Sequence, residues 1–108
     1  MDERRKFERV SIPESAKVHA EDRRGKVLGA VLVVGRGGVL VQTKEQFREG
    51  STQGLVIVDQ AEGIRRPVEA VVRYHCQHGV GFEFEKLDPD AAVEIGVIIG
   101  KHYSPAKA

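Results

Sequence analysis

The chain has 108 residues, with 17 Lys and Arg set against 16 Asp and Glu. That length points to one domain with a single core. The near balance of charge excludes a general binder of nucleic-acid polymers or membrane surfaces, which needs a basic excess. A single cysteine, Cys76, excludes an internal disulfide and fits a reducing compartment.

The opening "MDERRKFERV" is charged and lacks the apolar stretch of a signal peptide. No apolar run approaches the roughly 20 residues that span a bilayer. A soluble, cytoplasmic protein without membrane insertion is expected. Residues 1–12 carry Arg4, Arg5, Lys6 and Arg9 but only Phe7, Val10 and Ile12 to bury, so they read as a flexible arginine-rich segment. Pro13 ends it. The compact domain is expected over 13–103, with 104–108 as a tail.

With no Trp and few aromatics, the core must rest on Val, Ile and Leu, a bias toward strands. "AKVHA" (16–20) reads as a first strand and "EDRRG" (21–25) as a polar turn. "KVLGAVLVV" (26–34) is apolar on both alternating sets, which predicts a strand buried on both sides. After the glycine turn "VVGRGG" (33–38), "GVLVQT" (38–43) completes a long hairpin. "REGST" (48–52) turns the chain into "GLVIV" (54–58), and "DQAEG" (59–63) turns it into "RPVEAVVRY" (66–74). There Val68, Ala70, Val72 and Tyr74 are expected on one face. "HCQHG" (75–79) turns again, and "VGFEFE" (80–85) sets Val80, Phe82 and Phe84 inward with Glu83 and Glu85 outward. Six strands at about ten-residue spacing suggest a small barrel or sandwich.

One helix is predicted over about 88–100. Asp88 suits the N-cap, Pro89 the first helical position, and Asp90 the positive end of the dipole. Its body contains Gly96 and many β-branched residues, so its own propensity is poor. It must be held by laying Ala92, Ile95 and Ile99 on the barrel. Val97 or Tyr103 offers a candidate interaction face, but packing of the helix on the barrel is the better reading.

The turn at 33–38 has two readings. Gly35, Gly37 and Gly38 permit positive φ, so successive N–H groups can form an anion-binding nest beside Arg36. Alternatively "GRGG" only reverses the chain. His75, Cys76 and His78 supply three metal-type ligands in one tight turn, where structural zinc usually takes four, so a hairpin turn is the better reading. Arg23, Arg24, Lys26, Arg65 and Arg66 read as solvated turns and strand ends. No nucleophile–base pair emerges, and no enzyme or cofactor is expected.

In order, "RRKFERVSI", a glycine-turn hairpin and "GVGFEFEKLDPD" before a terminal helix resemble the PilZ domain family. The likeness runs from about Arg4 to Gly100. It implies a mainly β fold: a six-stranded antiparallel barrel with one C-terminal helix. It also implies a bacterial regulatory protein that binds the second messenger cyclic di-GMP and alters a surface shown to an unknown protein partner. The family's RxxxR motif falls on Arg5 to Arg9. Its hairpin motif, D/N-x-S-x-x-G, falls on residues 33–38, where Gly38 matches but Val33 and Gly35 replace the acidic or amide residue and the serine. The implied ligand-binding residues are Arg5 and Arg9, with Arg4 as an auxiliary, facing Gly35, Arg36 and Gly38. The loss at Val33 and Gly35 leaves a second reading open: an adaptor that keeps the fold, does not bind the dinucleotide and acts by protein contacts in motility, pilus or envelope regulation.

Overall fold

Seven strands and one helix follow one another over residues 9–103, the residues that the computed structural model describes. They are β1 (Arg9–Ser11), β2 (Val18–Glu21), β3 (Val27–Gly35), β4 (Gly38–Val41), β5 (Thr52–Asp59), β6 (Ile64–Cys76), β7 (Gly79–Phe84) and α1 (Pro89–His102), with a single 3-10 turn at Glu14–Ala16. All pairings are antiparallel. They run β3-β2-β5-β6-β7-β4 and close through β3–β4 into a six-stranded barrel. Closure leaves the barrel strands without a free edge. The barrel and its C-terminal helix are those the resemblance implied.

β1 was not expected. Residues 9–11 belong to the stretch read as flexible, yet Arg9, Val10 and Ser11 pair with Gly35, Val34 and Val33 of β3. β2 pairs with the other half of the same β3 edge, and the Ile12 N–H donates to the Leu32 carbonyl at 2.9 Å. The chain therefore runs down β3 in two steps around the 3-10 turn. The physical reason is that Val10 and Ile12, too few to define a core alone, are both buried in the barrel core. Two apolar side chains and a short ladder offset the cost of ordering three residues.

The face assignment of β3 is corrected by two bulges. Glu21 pairs with Val27 but Ala20 with Gly29, and Val41 pairs with Val31 but Leu40 with Val33. Each extra residue shifts the alternation by one. Leu28, Val31 and Val34 consequently share the core at a spacing of three, while Val27 is exposed and Ala30, Leu32 and Val33 are half-buried. The strand is buried on one side rather than two. β7 follows the expected alternation, with Val80, Phe82 and Phe84 buried and Glu83 outward.

α1 starts where the sequence signals. The Asp88 side chain accepts the Ala91 N–H at 2.7 Å, and Pro89 stands at the first position. Ala91 takes the buried place expected for Ala92, joined by Ile95, Ile98 and Ile99. Val93 and Val97 stay exposed. Ion pairs fasten the helix. The Arg66 guanidinium meets Glu94 at 2.7 Å, and the Lys101 ammonium meets Asp59, which is wholly buried, at 2.8 Å and Glu62 at 3.3 Å. The other oxygen of Asp59 accepts the backbone N–H groups of Ala61 and Glu62. Arg23, Lys26 and Arg65 are likewise paired, with Glu69, Glu45 and Glu21, rather than merely solvated.

Candidate functional site

An open groove of about 570 Å³ crosses the outer face of the barrel over β3, β4, β7 and β6. The strand register builds it from two parallel rows. In the first, Arg9 lies opposite Gly35, Gly35 opposite Gly38, and Gly38 opposite Glu83. In the second, Val33 lies opposite Leu40, Leu40 opposite Gly81, and Gly81 opposite Tyr74. The neighbours of these residues (Val10, Val34, Val39, Phe82) point into the core, so both rows point outward. The first row has a cation at one end, an anion at the other and two glycines between them. Three strand spacings of about 4.8 Å separate its ends by roughly 14 Å of backbone. The second row is apolar and ends in an aromatic ring.

The turn just beyond the first row is tight. Gly35 pairs with Gly38, so Arg36 and Gly37 alone link β3 to β4. None of Gly35, Gly37 and Gly38 takes the left-handed φ that an anion nest requires, so the turn reverses the chain without forming a nest. Gly38 has a different reason to be glycine. A Cβ there would run into the carbonyl of Phe82 on the neighbouring β7. The Phe84 N–H donates to the Gly37 carbonyl at 2.8 Å and holds the turn against the end of β7.

Among the expected site residues, Arg9, Gly35 and Gly38 line the groove together. Arg36 projects from the turn, exposed, and is not part of the lining. Arg4 and Arg5 lie outside the described residues. The groove adds Arg73, Tyr74, Gly81 and Glu83, which the sequence reading did not assign. Glu83 was legible as an outward residue of an alternating strand. Arg73 and Tyr74 were not, because β6 bulges there: Val72 pairs with Phe82 and Tyr74 with Gly81, leaving Arg73 as the extra residue. Tyr74, expected in line with Val68, Ala70 and Val72, is turned outward and is 48% exposed.

The electrostatics of the groove are local. Arg73 and Glu83 form an ion pair whose two side chains are each about half exposed. Arg9 gives a second cation on the opposite rim. Such a surface suits a ligand that is part apolar or aromatic and part anionic. Elsewhere, Gln77 and His78 make the two-residue turn between β6 and β7, as expected. His75 accepts the Phe47 N–H at 3.4 Å and lies 3.6 Å from Glu49. Among the described residues, no three His, Cys, Asp or Glu side chains gather as metal ligands, and no helix is long and apolar enough to cross a membrane.

The family model described as PilZ domain matches residues 3–100. No curated protein sequence matches the chain significantly. The chain belongs to the PilZ domain family, whose domains generally serve regulation by binding cyclic di-GMP.

Proposed function

We propose, starting from membership of the PilZ family, that this chain is a non-catalytic receptor for cyclic di-GMP in the bacterial cytoplasm. The ligand lies along the groove over β3, β4, β7 and β6. Arg9 and Arg5, with Arg4 as an auxiliary, close over it from one rim, and Gly35 and Gly38 form the floor. A guanidinium is planar, permanently charged and forked, so it grips a phosphate, or the O6/N7 edge of guanine, at two points. Arg36 stands beside the turn and contributes its charge to attraction rather than contact. Gathering the residues ahead of β1 onto the ligand changes the face offered to a protein partner.

The observation that carries this reading is the pairing of Arg9 with Gly35. It sets the second arginine of the RxxxR motif on the rim of the same groove as the hairpin glycines, although 26 positions separate them in the sequence. Calorimetric titration with cyclic di-GMP tests it. Binding heat is expected, to be abolished by Arg5→Ala with Arg9→Ala and weakened by added salt.

A second reading has its own observation. Val33 lines the groove but accepts no hydrogen bond, and Gly35 has no side chain. Each missing contact costs about 0.5–1.5 kcal/mol, and more where guanine donors are left buried and unpaired. A combined loss of about 2–4 kcal/mol is a thirty- to roughly seven-hundredfold weakening. Absence of heat at high micromolar dinucleotide therefore selects the adaptor, which works through protein contacts alone.

A further inference from the structure

The geometry points to a replacement for the lost half of the hairpin motif: the Glu83 carboxylate reads the guanine edge, Tyr74 stacks on the base, and Arg73 passes from Glu83 to a phosphate. This inference rests on the receptor reading above and names how the groove selects its ligand.

The first support is the bulge in β6. Strict alternation would send Tyr74 inward behind Val68, Ala70 and Val72. The extra residue at Arg73 instead directs Arg73 and Tyr74, neighbours in sequence, to the same outer face. Bulges interrupt a ladder, and they recur beside functional sites, where they re-aim a side chain. Here the re-aimed side chains are a forked cation and an aromatic ring, both lining the groove.

The second support is what lies beneath the ring. Tyr74 covers Gly81, where a Cβ would run into its ring atoms. An aromatic over a cross-strand glycine is held against the sheet and leaves its other side to water. A flat base can stack there, with Leu40 and Val33 continuing the apolar row.

The third support is the position of Glu83. It projects next to Gly38, which has no side chain to screen it, at the far end of the row that begins with Arg9. Among the described residues its ionic partner is Arg73. The pair is half exposed on both sides, and exposed pairs are weakly held, so ligand can exchange it. A carboxylate only accepts hydrogen bonds, and it matches the adjacent N1–H and N2–H donors of guanine. Adenine presents an unprotonated N1 at that edge and is repelled. The freed Arg73 guanidinium then has a phosphate to grip, and Glu83 exchanges its ion pair for two charge-assisted hydrogen bonds from the neutral base.

The test titrates the full chain with cyclic di-GMP and, separately, cyclic di-AMP. The unaltered protein should prefer the guanine dinucleotide. Glu83→Gln should cut that preference by about tenfold or more, since its charged acceptor is gone. Tyr74→Ala should weaken the guanine dinucleotide by about fivefold or more. Arg24→Ala, on the distant β2–β3 turn, should change neither, and thermal melts check that each variant is folded. Preference surviving Glu83→Gln to within about twofold, in a protein that binds cyclic di-GMP, overturns this inference and leaves the receptor reading intact. An unaltered protein that binds both dinucleotides equally overturns it as well. Failure of the unaltered protein to bind either one overturns the receptor reading and takes this inference with it.

Discussion

Gly96→Ala should make the protein more stable, although it alters the middle of the one helix. α1 contains Val93, Ile95, Val97, Ile98 and Ile99, all β-branched, together with Gly96 and Gly100. Each glycine in a helix interior costs about 0.8–1.0 kcal/mol relative to alanine, because the unfolded chain loses more freedom on forming the helix. Whether that gain is realised depends on room for the methyl group, and a Cβ built at Gly96 meets nothing within 4 Å. With about 1 kcal/mol recovered, the melting temperature should rise by about 4–8 °C in a domain of this size. Circular-dichroism melts, run beside size-exclusion chromatography, measure it. Ile98→Ala provides the opposite sign: Ile98 is fully buried, and the change should cost about 2–5 kcal/mol. A Gly96→Ala protein that melts at or below the unaltered one, at the same oligomeric state, would refute the view that this helix survives by packing against its own poor propensity.

Two charged sites carry the remaining predictions. Hydrogen bonds from Arg65 and then His19 hold the Glu21 carboxyl at a pKa of about 2, against an ordinary 4.5. A depressed carboxyl pKa contributes stability that is fully present above about pH 4.5 and is lost as the pH falls toward 2. Melting temperature should thus fall more steeply between pH 5 and pH 2 in the unaltered protein than in Glu21→Gln, and equal slopes would show that the pair contributes nothing. Lys101→Met removes the cation from the buried Asp59 and should lower the melting temperature at neutral pH. Adding Asp59→Asn should restore part of the loss; no recovery would mean that Lys101 acts by packing rather than by charge.

The fold was legible because its signals are local. Alternation fixed β7, glycine and polar clusters fixed the turns, and Asp88 with Pro89 fixed the start of α1. The family motifs marked Arg9, Gly35 and Gly38, whereas alternation marked Glu83 only as an outward residue and not as part of a site. The groove depends on pairings between residues far apart in sequence and on bulges, neither of which composition reports. One extra residue in β3 brings Val33 to the outer face two positions after the buried Val31, and one in β6 reverses Tyr74. β1 escaped for another reason: three residues with a single buried side chain are too short to show a period. Arg9 is positioned by its partner strand, not by its own sequence.

These differences change how much weight each residue of the hairpin motif should bear. Gly38, its one matching position, is required by the approach of the Phe82 carbonyl whether or not anything binds outside. A glycine demanded by the close approach of β7 to β4 says little about a ligand. Tyr74 is the reverse case. A barrel built for stability alone gains by burying so large a ring, and burial of an aromatic side chain stabilises by about 1.5–3 kcal/mol. Here a bulge turns it toward water above a glycine, beside an arginine it would otherwise have been alternated away from. Cover of Gly81 by the ring steadies the sheet, and the proposed recognition on the outer face gives the same arrangement a second use. If the groove takes a ligand as proposed, its selectivity is to be tested on β6 and β7 as much as on the hairpin that carries the motif.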